Sequence, residues 1–135
     1  MTDAIRNYLW VALGSTVGGV LRFWISGMVA ERLGQVFPWN TLAVNVTGSF
    51  IIGVFGAFTL PEAGLTAPAR SFISHFLMVG ICGGYTTFSS FSLQTLQLLQ
   101  KNEWWYASLN VLVSVVSCLI AVWLGYIAGQ TLHRS

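Results

Sequence analysis

Three stretches of this chain, Leu33 to Pro61, Ser71 to Gln100 and Trp104 to His133, contain no Asp, Glu, Lys or Arg. One helical crossing of a hydrocarbon core needs about 20 predominantly apolar residues, and each stretch is long enough for one. Only 7% of the 135 residues are charged while 55% are hydrophobic. A soluble domain carries about 25% charged residues, so a water-facing surface cannot be built here and the expected solvent is lipid.

The N-terminal region is less uniform. Asn7 to Leu21 is free of charge, Arg22 follows, and Phe23 to Ala30 is apolar again. One helix over 5–30 fits, with Arg22 in its second half. A cleaved signal peptide would need a small-residue cleavage site after a short apolar core. Arg22 stands where that site should be, and three more spans follow. The expectation is one domain over 1–135, with spans near 5–30, 38–60, 70–98 and 104–130. Cys82 and Cys118 both fall in apolar stretches and read as small buried residues, not as a disulfide or metal pair. A formal net charge of +2 is too small to suggest nucleic acid.

Four spans place both termini on one side. That side then holds Arg6, Arg70 and Arg134, and the other holds Arg32 and Lys101, with Arg22 toward that end of helix one. Orientation normally follows an excess of Lys and Arg on the cytoplasmic side, and no such excess exists. The balance predicts dual topology, with copies inserted both ways and paired antiparallel. Small residues let helices approach closely in lipid. Gly14, Gly18 and Gly19, with Gly48, Gly53 and Gly56, serve either that pairing or contacts within one subunit. Trp39, Trp104, Trp105 and Tyr106 lie at span ends, as interfacial anchors do.

Span three contains Gly83-Gly84-Tyr85-Thr86-Thr87, a poor helix interior, because each Gly costs roughly 1 kcal/mol relative to Ala. A break is expected over 82–87. Non-helical backbone at membrane depth survives only inside protein or beside a polar cavity, and freed carbonyls there suit a hard monovalent cation. The alternative is a slight kink that binds nothing. After the break, Phe88 and Phe91 share one face, with Ser89 and Ser92 in a row beside them. On helix four, Asn110, Ser114 and Ser117 or Cys118 form one stripe. Helix two carries a lone amide, Asn45, which is costly in lipid unless paired. Each hydroxyl could instead bond back to its own helix. Together the rows predict a shared polar track, and its donors favour an anion. Aromatic edges are positive, so Phe88 and Phe91 can meet a small anion edge-on. Arg22 would draw anions to a pore mouth.

The run from Gly83 to Ser92, GGYTTFSSFS, resembles the signature of the CrcB/Fluc family of fluoride channels. Pro38 to Phe50 and Gly19-Val20-Leu21-Arg22-Phe23 are similar to two further family stretches, and the likeness extends over nearly the whole chain in matching order. The resemblance implies an all-α membrane protein of four transmembrane helices with the third broken, assembled as an antiparallel dual-topology homodimer with two fluoride pores. It implies a structural Na+ at the dimer centre, held by backbone carbonyls of Gly83 and Thr86 and the same pair from the partner. It also implies pore roles for Phe88 and Phe91, with Asn45 on the same path. Ser89, Ser92, Asn110 and Ser114 would belong to the polar track and Arg22 to the vestibule. The chain departs from the pattern at Asn40, where Gly is usual, at Ser90, where Thr is usual, at Gln94, often Glu, and at Cys118, where Ser can occur.

The expected function is passive export of cytoplasmic fluoride across a bacterial inner membrane by a multi-pass protein that is not an enzyme. A coupled transporter would need a titratable group in the membrane, usually an acid. Arg22 and His75 are the only candidates, and His75 sits at the start of its span. A scaffold in which polar residues only join helices is a third reading. No spacing of His75, Cys82 and the serines assembles a nucleophile and base.

Overall fold

The computed structural model describes residues 2–34 and 36–134, apart from the side chain of Arg134, so the charge assigned to Arg134 lies outside the described residues. All regular structure described is helical, and four helices are long and apolar enough to cross a membrane. Helix α1 spans Thr2–Leu33. It has no internal proline, Asp3 sits in its first turn, where a negative charge complements the helix dipole, and Asp3 pairs with Arg6 at 2.9 Å. It ends where Gly34 turns to φ +77° and donates its N–H to the Ala30 carbonyl at 3.1 Å. Gly takes that left-handed conformation without the penalty a Cβ brings.

Helix α2 spans Trp39–Phe58. Thr59 caps it through a hydroxyl bond to the Gly56 carbonyl at 2.8 Å, and Pro61 opens a short 3-10 turn, Pro61–Ala63. The third span is composite. It begins as α3, Ala67–Phe72, continues as a π-helical stretch over Ile73–Cys82 and as α4, Gly83–Tyr85, and runs on to Gln100. Helix α5 then covers Phe88–Gln100, and α6 covers Trp104–Arg134.

Helix α2 lies against α6 and also meets α1 and the π stretch, while α1 packs mainly on the π stretch. Small residues set these crossings. A Cβ on Gly14 would come within 2.8 Å of the Gly80 Cα, and one on Gly53 would strike the Val122 carbonyl. Gly14, Gly18, Gly48 and Gly53 therefore serve contacts within the chain, whereas Gly19 and Gly56 face open space. Large apolar side chains cover the outside of every span, Phe23, Trp24, Leu112 and Trp123 among them. A surface of that kind is stable against lipid or against another protein surface.

The glycines of the third span are not themselves extended. Gly83 has φ −64° and ψ −38°, and helical geometry persists through Tyr85. Only Thr86, with φ −81° and ψ 158°, and Thr87, with φ −151° and ψ 111°, leave it. The physical reason is close approach: a Cβ on Gly84 would lie 2.7 Å from the Ser15 carbonyl oxygen of α1. Glycine at 84 is required for helix contact and not for an unusual backbone conformation.

Candidate functional site

Two extended residues inside an apolar span leave backbone groups that water cannot satisfy. Asn45 of α2 supplies part of the answer. Its Oδ1 accepts the Thr87 N–H at 2.7 Å, and its Nδ2 donates to the Thr87 carbonyl at 3.0 Å. The side-chain amide thus pairs with Thr87 as a neighbouring strand would. Thr87 in turn caps α5, its Oγ1 accepting the Ser90 N–H at 3.1 Å. It also donates to the Ser90 hydroxyl at 3.0 Å and lies 3.2 Å from the Ser89 hydroxyl.

These bonds have a consequence for two carbonyls. In a continuous α-helix each N–H bonds the carbonyl four residues back. The Thr87 N–H would serve Gly83, and the Ser90 N–H would serve Thr86. One is diverted to Asn45 and the other to the Thr87 hydroxyl. The Gly83 and Thr86 carbonyls thereby lose their regular helical partners. Arg22 meets the second of them, with Nη1 at 3.4 Å from the Thr86 carbonyl oxygen. Among the described residues no group of three or more His, Cys, Asp or Glu gathers to hold a metal. Neutral backbone oxygens suit a hard monovalent cation, but the Arg22 guanidinium on the Thr86 carbonyl would have to move away before one bound there.

Tyr85, just before the step, is buried, and its hydroxyl lies 2.8 Å from that of Thr47. Gly48 of α2 leaves room for it, because a Cβ there would strike the Thr86 methyl and lie 3.0 Å from the Tyr85 ring. Tyr85 therefore packs and braces the step from the α2 side.

Beside the step, walled in part by α2, is a cavity of about 250 Å³. Its wall brings together Asn45, Phe88, Phe91 and Ser114, with Ser49, Thr86, Thr87 and Cys118. The Phe88 and Phe91 ring centroids are 5.3 Å apart at 46°. Phe88 is 76% exposed, so ordinary core burial does not account for it. No acidic side chain lines this cavity among the described residues. Its uncommitted donors are the second Nδ2 hydrogen of Asn45 and the hydroxyl of Ser49, since the Thr86, Thr87 and Ser114 hydroxyls donate to the Cys82 carbonyl, the Ser90 hydroxyl and the Asn110 Oδ1.

Other track residues lie elsewhere. Asn110 is buried and donates to the Thr95 hydroxyl at 2.9 Å, while its Oδ1 accepts from Ser114 at 3.3 Å. It ties α5 to α6 and supports Ser114 from behind. Ser92 donates back to the Phe88 carbonyl at 2.9 Å and is exposed, and Ser89 sits at the cap beside Thr87. Arg22 lines neither this cavity nor a second, larger one at the far end of α5. Residue-by-residue reading passed over Thr87, which carries both the Asn45 clamp and the cap. A Thr placed directly before an apolar helical run is a legible capping signal.

Comparison with known proteins gives one consistent result. The family model described as "CrcB-like protein, Camphor Resistance (CrcB)" matches residues 9–126. A protein of Opitutus terrae is 54% identical over 126 residues, covering 93% of this chain and 94% of its own. One of Rhodospirillum rubrum is 52% identical over 128 residues, covering 95% and 98%. One of Methylocella silvestris is 48% identical over 128 residues, covering 95% and 96%. Each of these relatives is named "Fluoride-specific ion channel FluC".

Proposed function

We propose, from the premise that this chain belongs to the CrcB family, that it is a passive fluoride-selective channel of the bacterial inner membrane through which cytoplasmic fluoride leaves. The observation that carries this reading is the small cavity beside Thr86 and Thr87. There the exposed Phe88 ring, Phe91, the Asn45 amide and the Ser49 hydroxyl converge with no carboxylate present. Fluoride entering such a space loses water. Hydroxyl and amide hydrogens, with positive ring edges, replace part of that hydration. A negative interior drives an anion outward at about 2.3 kcal/mol per 100 mV, so no coupled energy source is needed.

In this reading the Gly83 and Thr86 carbonyls hold a structural sodium ion, with the same pair from a partner protomer. Bound there, the cation would join two subunits and place positive charge between two anion paths. The diverted N–H groups of Thr87 and Ser90 support it. The partner is a second copy in antiparallel orientation. The near-even split of Lys and Arg and the open faces at Gly19 and Gly56 support that arrangement. Exchanging sodium for N-methylglucamine during purification should shift the elution profile from dimer toward monomer. A dimer indifferent to the exchange would count against the cation site. The channel itself is tested with purified protein in fluoride-loaded liposomes and a fluoride electrode outside. Rapid efflux is expected. Intact dimer with efflux no faster than protein-free vesicles would sink the reading.

A further inference from the structure

Arg22 is the one charge set deep in α1, since Asp3, Arg6, Glu31 and Arg32 lie near the ends of that helix. A charged side chain within a span is costly, and it persists where it pairs with another charge or with a backbone carbonyl. No carboxylate pairs with Arg22 among the described residues. Its half-buried side chain reaches the Thr86 carbonyl instead.

The close approach of two helices puts it there. Gly14, Gly18 and Arg22 recur at intervals of four and share one face of α1. A Cβ on Gly14 would lie 2.8 Å from the Gly80 Cα, and one on Gly18 would lie 2.8 Å from the Tyr85 nitrogen. Bare backbone at 14 and 18 thus brings α1 against the third span, and the next turn carries Arg22 to the step after Tyr85. The contact answers two needs at once. The Thr86 carbonyl has lost the Ser90 N–H, which bonds the Thr87 hydroxyl, and the guanidinium has no acid to meet.

That carbonyl is also one of the pair proposed above for sodium. A single chain offers only half of that carbonyl set, whereas a guanidinium makes its bond to one acceptor. Two positive charges at one carbonyl oxygen repel each other. The Thr86 carbonyl therefore takes Arg22 or the cation, not both.

We propose that Arg22 is a placeholder for the cation: it occupies the Thr86 carbonyl in the unpaired chain and is displaced when a second copy completes the sodium site. The proposal rests on the sodium reading above. A copy that inserts alone then keeps its broken span satisfied until it meets a partner, and sodium has to outcompete an internal group. An arginine that holds the carbonyl about nine-tenths of the time weakens apparent sodium affinity about tenfold, because apparent affinity scales with the fraction of free sites.

The test is a sodium titration of the purified protein in detergent, with N-methylglucamine keeping ionic strength constant and the dimer fraction read by elution. The sodium concentration at half-maximal dimer should fall about tenfold in Arg22→Ala, the occupancy effect just given. Guanidinium at a non-denaturing concentration, exchanged for an equal amount of N-methylglucamine, should raise that midpoint again in Arg22→Ala and leave the parent almost unchanged. The free ion then refills the contact the side chain has vacated. Arg22→Gln, neutral and too short to reach the carbonyl, should lower the midpoint likewise and replaces Arg22→Ala if the latter elutes only as aggregate. A midpoint in the folded variant equal to or above the parent's would overturn the proposal. So would a guanidinium effect that is absent from the variant or equal in variant and parent. A parent dimer indifferent to sodium would bring down the sodium reading and this proposal with it, whereas a sodium-dependent parent with an unshifted variant brings down the proposal alone.

Discussion

Asn45 uses both ends of one amide on one residue, and that pairing keeps an extended Thr87 tolerable in an apolar span. Replacing it with Leu removes donor and acceptor together and strands the Thr87 N–H and C=O. An unpaired buried backbone group costs about 1–3 kcal/mol. Asn45→Leu should therefore lower the melting temperature in detergent markedly and abolish efflux. An unchanged melting curve would show that Thr87 finds other partners. Phe88 is the opposite case, because its ring is exposed and little packing depends on it. Phe88→Ile should leave dimer elution unchanged and slow efflux about five- to tenfold, the kinetic equivalent of losing one ring-edge contact of about 1 kcal/mol. Wild-type flux in that variant would remove the ring from the path.

At the scale of elements, the third span turns on how α5 begins. Thr87 Oγ1 is its N-cap, and an N-cap hydroxyl contributes about 1 kcal/mol. Thr87→Val should lower stability by that order and slow efflux, while Thr87→Ser, which keeps the hydroxyl, should restore both. Equal behaviour of the two variants in thermal denaturation would exclude the cap as the cause. The same span shows what residue patterns could and could not reveal. Gly83-Gly84 marked a weak point because glycine is a poor helix former. The departure from helical geometry nevertheless falls two residues on, because Gly84 is needed for contact with Ser15 on another helix. A contact between distant helices leaves no local trace. Asn45 stood out as an amide too costly to leave alone, but its partner lay 42 residues away and was not legible. The row Ser89 and Ser92 had the right period, yet Ser92 bonds its own helix and is exposed. Periodicity reports which residues share a face, and the neighbouring helix decides what that face does. The π geometry of Ile73–Cys82 had no signal at all in the pattern of apolar residues.

For the whole molecule, the sparse charges matter more through their placement than through their number. With four crossings, Arg6, Arg70 and Arg134 share one side, and Arg32 and Lys101 the other. A three-to-two split gives the insertion machinery little to act on, because Lys and Arg near span ends set orientation while Asp and Glu contribute little. If an antiparallel pair is the conducting unit, a copy forced into one orientation has no partner. Asp3→Lys with Glu62→Lys would make the split five to two and fix the termini in the cytoplasm. Arg6→Gln, Arg70→Gln and Glu31→Lys together would make it one to three and fix them outside. Each biased chain expressed alone should lose most of the fluoride resistance it confers on a sensitive host. Co-expression of the two should restore it, since opposite orientations then meet in one membrane. The mutated side chains lie at helix ends and in loops, away from Asn45, Phe88 and the Thr86–Thr87 step, so loss in each alone with recovery in the pair isolates orientation as the cause. Full resistance from either chain alone, with cysteine labelling showing a single orientation, would mean that one orientation suffices and that the pair is not antiparallel.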